Sequence, residues 1–208
     1  NAFESLSSEG GLDAAKAIMT TDTVPKTVEI KKDNFTIGGI AKGAAMLEPN
    51  MATMLAVIAT DAEIDSLSAT GMLQDAVSAS FNCLTVDGAE STNDTVLLLA
   101  SGESGPVDKS ALAEALNEAC KSLAIQMADD AEGSTKTVFL TVTGAATDEE
   151  ALKGARDTAN CQLVKCSWYG EDPYWGRIAA EMGAAGIAFD PATITISYGD
   201  QVVYADGE

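Results

Sequence analysis

The sequence predicts a mixed α/β (α+β) fold in which mixed β-sheets are layered against helices. Segments with apolar residues at three- and four-residue spacing alternate with short apolar runs, a pattern typical of helices alternating with buried strands. Two pairs of strand-like segments are separated by short polar turns, which indicates hairpins. The chain has 208 residues, 46% of them hydrophobic, so it can bury a sizeable core.

The first half of the chain is predicted to contain a hairpin, a buried strand and two helices. Lys32, Asp33 and Asn34 form the polar turn of the hairpin, and Pro49 with Asn50 marks a turn within a loop. In chain order, the predicted elements are a helix at 11–19, strands at 26–32 and 35–40, a loop at 43–51, a strand at 54–60 and a helix at 69–81.

The second half contains the clearest helix, at residues 110–129. Its apolar residues recur at spacings of three and four and form one stripe: Leu112, Leu116, Ala119, Cys120, Leu123 and Met127. The segment 95–100 suits either a strand or a buried helical turn. The remaining predicted elements are strands at 136–143 and 162–168, helices at 147–160 and 173–182, and a hairpin of 193–198 with 201–205. No linker is visible, so we expect one compact structural unit.

The charge of the chain excludes several classes of partner. It carries 32 acidic and 12 basic residues, a formal net charge of −20, which repels nucleic acids and anionic lipid surfaces. No apolar run approaches the roughly 20 residues that span a membrane. The first residues lack the features of a secretory signal, so we expect a cytoplasmic protein with no nucleic-acid or membrane partner.

Metal and thiol chemistry are also disfavoured. The sequence has no histidine, and its four cysteines, Cys83, Cys120, Cys161 and Cys166, include no CxxC pair. This pattern does not fit a zinc site, and a catalytic cysteine would lack its usual imidazole partner. We therefore expect no metal and no cofactor, with reduced and mostly buried thiols.

Thr53 is the candidate nucleophile. It follows the small residue Ala52 and immediately precedes the apolar run 54–59. Without histidine, a threonine hydroxyl can use its own α-amine as the base, once the chain is cut before it. An α-amine has a pKa of about 7.7–8, so a useful fraction is neutral near neutral pH. A threonine at the start of a buried strand is usually a packing residue and not a nucleophile. A catalytic role for Thr53 therefore depends on motifs elsewhere in the chain.

Six motifs in order along the chain resemble the ornithine acetyltransferase (glutamate N-acetyltransferase) family. They cover nearly the whole sequence, which makes the resemblance specific. The motifs are AIMTTDTVPK at 17–26, GGIAKG at 38–43, PNMATML at 49–55, STNDT at 91–95, EGSTK at 132–136 and GEDPYWGR at 170–177.

The resemblance implies a fold, a reaction and a set of site residues. The fold is that of self-cleaving aminopeptidases and ornithine acetyltransferases. The reaction begins with autoproteolysis between Ala52 and Thr53, after which an acetyl group passes from N2-acetyl-L-ornithine through Thr53 to L-glutamate, in arginine biosynthesis. Some members also accept acetyl-CoA as a co-substrate. The implied substrate-binding residues are Thr20, Lys42, Thr53 and Glu132. The charges of two of them match the substrates, because an amino acid offers a carboxylate to Lys42 and an ammonium to Glu132.

The resemblance also divides the chain at the cleavage position. Residues 1–52 correspond to the C-terminal part of the first (alpha) subunit and 53–208 to most of the second (beta) subunit. Family precursors extend beyond both ends, where they supply an oxyanion-stabilising Thr-Gly pair and further substrate contacts. Open apolar faces then predict a homo-oligomer, or a hetero-oligomer of cleaved chains.

Two alternatives remain at this point. The chain could be a non-catalytic truncated homologue that folds and associates with itself, or a self-activating aminopeptidase.

For Asn93 and Asp94, a structural role in a turn or cap is favoured over a role in a site.

Overall fold

The structure, a computed structural model, describes residues 2–48, 54–89 and 93–205. Its contacts divide the chain into two compact units, Asn1–Ser134 and Thr135–Glu208. We expected one unit. The division falls in a stretch without helix or strand, between a helix that ends at Asp129 and one that begins at Asp148. The separate prediction of two subunits divided after Ala52 concerns chain processing and stays a prediction.

A four-stranded sheet forms the centre of the first unit. Its strands are β1 (Lys26–Lys31), β2 (Thr36–Lys42), β3 (Leu55–Thr60) and β4 (Thr95–Ala100), in that spatial order. β1 pairs antiparallel with β2, β2 antiparallel with β3, and β3 parallel with β4. The predicted hairpin and buried strand are confirmed, and 95–100 is a strand.

Three helices accompany this sheet: α1 (Gly11–Ala17), α2 (Ser66–Ser78) and α3 (Lys109–Asp129). Aspartates start the two longer ones. The Asp65 carboxylate accepts the Ser68 N–H at 2.9 Å, and the Asp108 carboxylate accepts the Ala111 N–H at 2.8 Å. Each bond satisfies a donor that has no partner within the helix. Short 3-10 turns occupy Ala2–Ser5 and Phe81–Cys83.

The core of the first unit lies between one face of the sheet and the helices α2 and α3. Inward-facing strand residues such as Ile37 and Ile58 are fully buried. The predicted stripe of α3 is confirmed, because each of its members is buried: Leu112, Leu116, Ala119, Cys120, Leu123 and Met127. On the edge strand β4, the alternate residues Leu97 and Leu99 are 47% and 56% exposed.

Within residues 135–205, the described part of the second unit, there are three α-helices and a hairpin. They are α4 (Asp148–Asn160), α5 (Gln162–Tyr169), α6 (Trp175–Ala184), β5 (Ile196–Tyr198) and β6 (Gln201–Tyr204). The Thr147 hydroxyl accepts the Glu150 N–H at 3.2 Å, which confirms the predicted helix start. Val164, Ile178, Met182 and Ile196 form the buried core. None of the helices within the described residues has the length and apolar character needed to cross a membrane.

Two predicted strands of this unit are wrong. Residues 162–168 lie in helix α5, where Val164 and Ser167 are buried three positions apart, as on one side of a helix. Residues 135–143 have no regular secondary structure, and Phe139 is 72% exposed. A strand requires a hydrogen-bonded neighbour, and the strand pairings among the described residues do not include this segment.

The cysteines agree with the sequence prediction only in part. All four are free thiols, as expected. Cys120 is buried, and burial raises the pKa of its thiol to about 12. Cys83 and Cys166 are exposed, so the prediction of mostly buried thiols is wrong.

Candidate active site

Lys42 and Thr20, two of the predicted substrate-binding residues, contact each other. Lys42 is the last residue of β2, and its ammonium donates a hydrogen bond to the Thr20 hydroxyl at 3.3 Å. Lys42 is only 6% exposed, whereas Thr20 is exposed. A largely buried ammonium beside a neutral hydroxyl can gain from an anionic partner. The pair therefore suits a substrate carboxylate.

Asp22 holds the two segments that carry this pair. Its carboxylate accepts the Gly43 N–H at 2.7 Å and the Thr20 N–H at 3.1 Å. Burial alone would raise the pKa of Asp22, but hydrogen bonds from Lys26, Gly43 and Thr20 outweigh burial and lower it. Asp22 is consequently ionised, and it ties the backbone at position 20 to the backbone that follows Lys42.

Gly43 allows the chain to turn directly after Lys42. Its φ is +154°, in a region that residues with a side chain rarely adopt. A Cβ at this position would lie 2.7 Å from the Met127 methyl of α3. The backbone conformation therefore favours glycine at this position, and a larger residue would also have to displace the Met127 methyl.

Glu132, the third predicted substrate residue, joins the site through its backbone. Its N–H donates to the Ala44 carbonyl at 2.8 Å, and its side chain is exposed. Two residues earlier, the Asp130 carboxylate accepts the Thr23 N–H at 2.9 Å. The segment after α3 is thus bonded to the backbone shortly after Thr20 and shortly after Lys42.

Ala52 and Thr53, the predicted cleavage position and nucleophile, lie outside the described residues. The chain on each side of 49–53 is held by a carboxylate. The Asp87 carboxylate accepts the N–H groups of Met46 at 2.6 Å and Leu47 at 3.2 Å. The Asp94 carboxylate accepts the Met54 N–H at 2.7 Å. The backbone is therefore held at Met46 and Leu47 before this stretch and at Met54 directly after it.

The positive charge of Lys42 also acts on the carboxylate of Asp94. Asp94 is 8% exposed, and burial raises the pKa of its carboxyl. The hydrogen bond from Met54 and the positive charge of Lys42 oppose that rise. The structural role favoured for Asp94 agrees with the bond to Met54, but its charge interaction with Lys42 was missed from the sequence.

A cavity of about 210 Å³ opens beside Asp94 and Met54. Its walls are mainly apolar, from Leu73, Val77 and Met127 among others. Such walls favour the aliphatic or acyl part of a small ligand. Within the described part of the chain, no group of three or more Cys, Asp or Glu side chains is arranged to hold a metal ion.

Lys26 and Asp130 are two further charged residues of this site that the sequence analysis did not identify. Lys26 is fully buried, and its ammonium contacts Asp22 at 2.6 Å and also Asp130. One signal was available: Lys26 continues the inward-facing row of Val28 and Ile30 in β1, and a charge in such a row needs a partner.

Comparisons with known proteins agree with these observations. Residues 1–208 match the ArgJ family. The arginine biosynthesis bifunctional protein ArgJ of Mycolicibacterium paratuberculosis is 52% identical over 200 residues, 95% of this chain and 50% of that protein. Its namesake from Thermobifida fusca is 45% identical over 190 residues, 91% of this chain and 50% of that protein.

A solved structure is similar as well. The crystal structure of the arginine biosynthesis bifunctional protein ArgJ from Bacillus halodurans matches with a TM-score of 0.69 and 39% identity. The match covers 71% of this chain and 73% of that chain. The chain spans about half the length of the curated relatives it matches.

Proposed function

The chain belongs to the ArgJ family, as its resemblance to the ornithine acetyltransferases predicts, and we propose that it carries an acetyl-transfer site of arginine biosynthesis. The relatives are named as bifunctional proteins of that process. The observation that carries the proposal is the contact of Lys42 with Thr20 at 3.3 Å. It joins two predicted substrate residues, and Lys42 pairs in the sheet with Leu55, two positions after Thr53 in the sequence.

The first proposed step is self-cleavage. The Thr53 hydroxyl attacks the Ala52 carbonyl carbon, and the bond from that carbon to the Thr53 nitrogen breaks, which frees the α-amine and leaves an ester. Water then hydrolyses the ester, so that Ala52 ends in a carboxylate and the Thr53 hydroxyl is restored. The amine has a pKa of about 7.7–8 in its ordinary state, so it can accept a proton near neutral pH. The fixed backbone at Met54 supports this step, since it holds the peptide next to the one that is cut.

Acetyl transfer follows in two half-reactions. The Thr53 hydroxyl attacks the acetyl carbonyl of N2-acetylornithine, its amine takes the hydroxyl proton, and ornithine leaves with that proton. The neutral amine of glutamate then attacks the carbonyl carbon of acetyl-Thr53, the bond from that carbon to the Thr53 oxygen breaks, the Thr53 α-amine passes the proton of the glutamate amine to that oxygen, and N-acetylglutamate leaves. We propose that Lys42 and Thr20 hold the substrate carboxylate and that Glu132 receives a substrate ammonium. The buried position of Lys42 strengthens such an ion pair.

This reaction needs no cofactor, because the acyl group passes between two amines through an ester. We propose N2-acetylornithine as the donor, with acetyl-CoA as a possible second co-substrate. The cavity beside Asp94, at about 210 Å³, is of a size for the small acyl part of either donor. We further propose a cytoplasmic enzyme that works as a homo-oligomer or as a hetero-oligomer of cleaved chains.

Fragment mass analysis of the purified protein tests the cleavage step. Two fragments that meet between Ala52 and Thr53 are expected, and Thr53→Ala should abolish them. Thr70→Ala is the matched control, because the Thr70 hydroxyl only donates to the Ser66 carbonyl within α2. An intact wild-type chain would refute self-processing.

The transfer step needs its own assay. Labelled N2-acetylornithine should transfer its acetyl group to glutamate with cleaved protein and fail to do so with Thr53→Ala. A chain that folds and yet transfers no acetyl group would favour the non-catalytic alternative, for which the exposed Leu97 and Leu99 are the relevant observation. Release of amino acids from short peptides would instead identify the aminopeptidase.

A further inference from the structure

Lys26 is a buried charge at a position where a strand normally carries an apolar residue. Val28 and Ile30, on the same face of β1, pack in the core, and Lys26 itself is 0% exposed. An ammonium in such a place is stable only when paired and hydrogen-bonded. Its two partners are carboxylates, Asp22 at 2.6 Å and Asp130.

These three residues, the Asp22–Lys26–Asp130 cluster, retain both carboxylates in the ionised form. Burial pushes the pKa of each aspartate upward, but hydrogen bonds reverse the effect: the pKa of Asp22 is lowered and that of Asp130 is about 2. Lys26 donates to both carboxylates. The cluster as a whole keeps a net negative charge beside a site that must receive a substrate carboxylate.

The cluster is bonded to the backbone of the segments that carry Thr20 and Lys42, and Asp130 belongs to the segment that carries Glu132. Asp22 accepts the N–H of Thr20 itself and the N–H of Gly43, which directly follows Lys42. Asp130 stands two residues before Glu132. It also accepts the Thr23 N–H at 2.9 Å and the Val24 N–H at 3.4 Å.

We propose that the Asp22–Lys26–Asp130 cluster positions the substrate site and that the charge of Lys26 keeps Asp22 from competing with substrate for Lys42. The proposal rests on the proposed acetyl-transfer function for the identity of the ligand. Lys26 itself is not proposed to contact the substrate. It is a positioning residue that acts through Asp22.

Asp22 can compete with the substrate for Lys42 because Asp22 and Lys42 both bind Thr20. Lys42 donates to the Thr20 hydroxyl, and Asp22 accepts from the Thr20 N–H, so the two side chains meet the same residue. If Lys26 lost its charge, Asp22 would be a buried carboxylate without its ammonium partner. Because the Lys42 ammonium already contacts the hydroxyl of the same Thr20, we expect it to turn towards the unpaired Asp22, and an ion pair between them would withdraw Lys42 from the substrate carboxylate.

Binding measurements on the full chain test the charge effect. Calorimetric titration with N2-acetylornithine and with L-glutamate should show that Lys26→Met weakens binding by about tenfold or more, the scale of one lost charged hydrogen bond. Adding Asp22→Asn removes the competing carboxylate and should restore binding severalfold. Lys31→Met is the matched control, since Lys31 lies on the same strand with its side chain 70% exposed.

The double variant separates charge from mere loss of structure. A purely structural role predicts that Lys26→Met with Asp22→Asn binds no better than Lys26→Met alone, because two buried partners are then lost. That result would overturn the proposal, as would wild-type affinity in Lys26→Met. Recovery of binding in the double variant is the outcome that supports it.

A ligand-free measurement tests the positioning effect and does not depend on the acetyl-transfer function. In Asp22→Asn, a milder change than Lys26→Met, an NH2 group replaces one of the two carboxylate oxygens that accept the Thr20 and Gly43 N–H groups, so at least one of these two amide protons should exchange with solvent about tenfold faster. The Thr36 amide, which donates to the Asp61 carboxylate at 2.7 Å, is the internal control.

The binding measurement and the amide-exchange measurement test different claims, so a negative result in one can be told from a negative result in the other. Unchanged exchange at Thr20 and Gly43 would overturn the positioning cluster even if the wild-type chain transfers acetyl groups. A wild-type chain that binds neither amino acid would refute the proposed function, and the exchange rates would still decide whether the cluster fixes these segments.

Discussion

The Asp94 carboxylate accepts a hydrogen bond from the Met54 backbone N–H at 2.7 Å. Met54 directly precedes β3 and Asp94 directly precedes β4, and these strands run parallel with Leu55 opposite Thr95. The Thr95 N–H in turn donates to the Met54 carbonyl at 3.1 Å. The backbone is therefore fixed at Met54, one residue after the proposed nucleophile, so Asp94 holds the chain on the C-terminal side of that nucleophile.

Replacing Asp94 should slow self-cleavage. Asp94→Ala removes the acceptor of the Met54 N–H and should reduce the rate by about tenfold, the value of one hydrogen bond to a charged group. Asp94→Asn retains an oxygen acceptor and should have a smaller effect. The rate is measured by mass analysis at successive times after synthesis. Asp108→Ala, which removes the cap of α3, is the control. Equal rates in Asp94→Ala and wild type would contradict this role.

Lys42→Met should impair substrate binding more than catalysis. The buried ammonium is the proposed partner of the substrate carboxylate, so its loss should raise KM for glutamate by about tenfold to a hundredfold. A smaller change is expected in kcat, because Lys42 is not the nucleophile. Steady-state acetyl transfer measures both constants. Lys109→Met serves for comparison, since Lys109 pairs with Asp65 at the surface. A fall confined to kcat would argue against the carboxylate contact.

The stability of the fold should depend on pH through Asp130. Its pKa in the folded chain is about 2, against about 3.9 for an unperturbed aspartate. Because the folded value is the lower one, the stabilisation is complete above pH of about 4 and is lost as the pH falls towards 2, in total about 2 kcal/mol. Urea unfolding of wild type and Asp130→Asn over this range should show converging stabilities. A constant difference would exclude the effect.

The exposed leucines of β4 should promote self-association. Leu97 and Leu99 are 47% and 56% exposed on an edge strand, and such apolar edges favour contact with another chain. Size-exclusion chromatography with light scattering should show oligomers that become smaller in the Leu97→Thr/Leu99→Thr double variant. Leu67→Thr is the control, because Leu67 is 83% exposed on a helix. A monomeric wild-type chain would contradict the prediction.

The elements that the sequence predicts correctly are those with a strong local pattern. The stripe from Leu112 to Met127 repeats at helical spacing over several turns, and α3 follows it closely. The hairpin of β1 and β2 is predicted because its polar turn lies between two alternating segments. In both cases the pattern contains enough residues to exclude the competing structure.

The failures occur where the pattern is short or depends on distant partners. Residues 162–168 mix apolar and polar side chains over only seven positions, too few to separate a strand from a helix, and the chain adopts α5. Residues 136–143, predicted as a strand, carry Val138, Leu140 and Val142 at alternate positions, but such a pattern cannot supply the neighbour with which a strand must pair. Local sequence thus predicts a preference, while tertiary contacts decide the outcome.

The same limit applies to the site. Thr20, Lys42 and Glu132 are predicted through the family resemblance, and the structure brings the first two into contact. The pairing of Lys26 with Asp130 joins residues 104 positions apart, so no local motif reveals it. Asp22 lies within a recognised motif, yet only its burial and its bonds to Thr20 and Gly43 identify its role.

The antiparallel ladder between β2 and β3 crosses the proposed scission point. Six residue pairs, from Ile37 with Thr60 to Lys42 with Leu55, join the strand before residues 52 and 53 to the strand after them. Severing the peptide bond would leave this ladder intact. The two pieces should elute together in native buffer and separate only in denaturant, so covalent integrity and structural integrity would be independent properties of this chain.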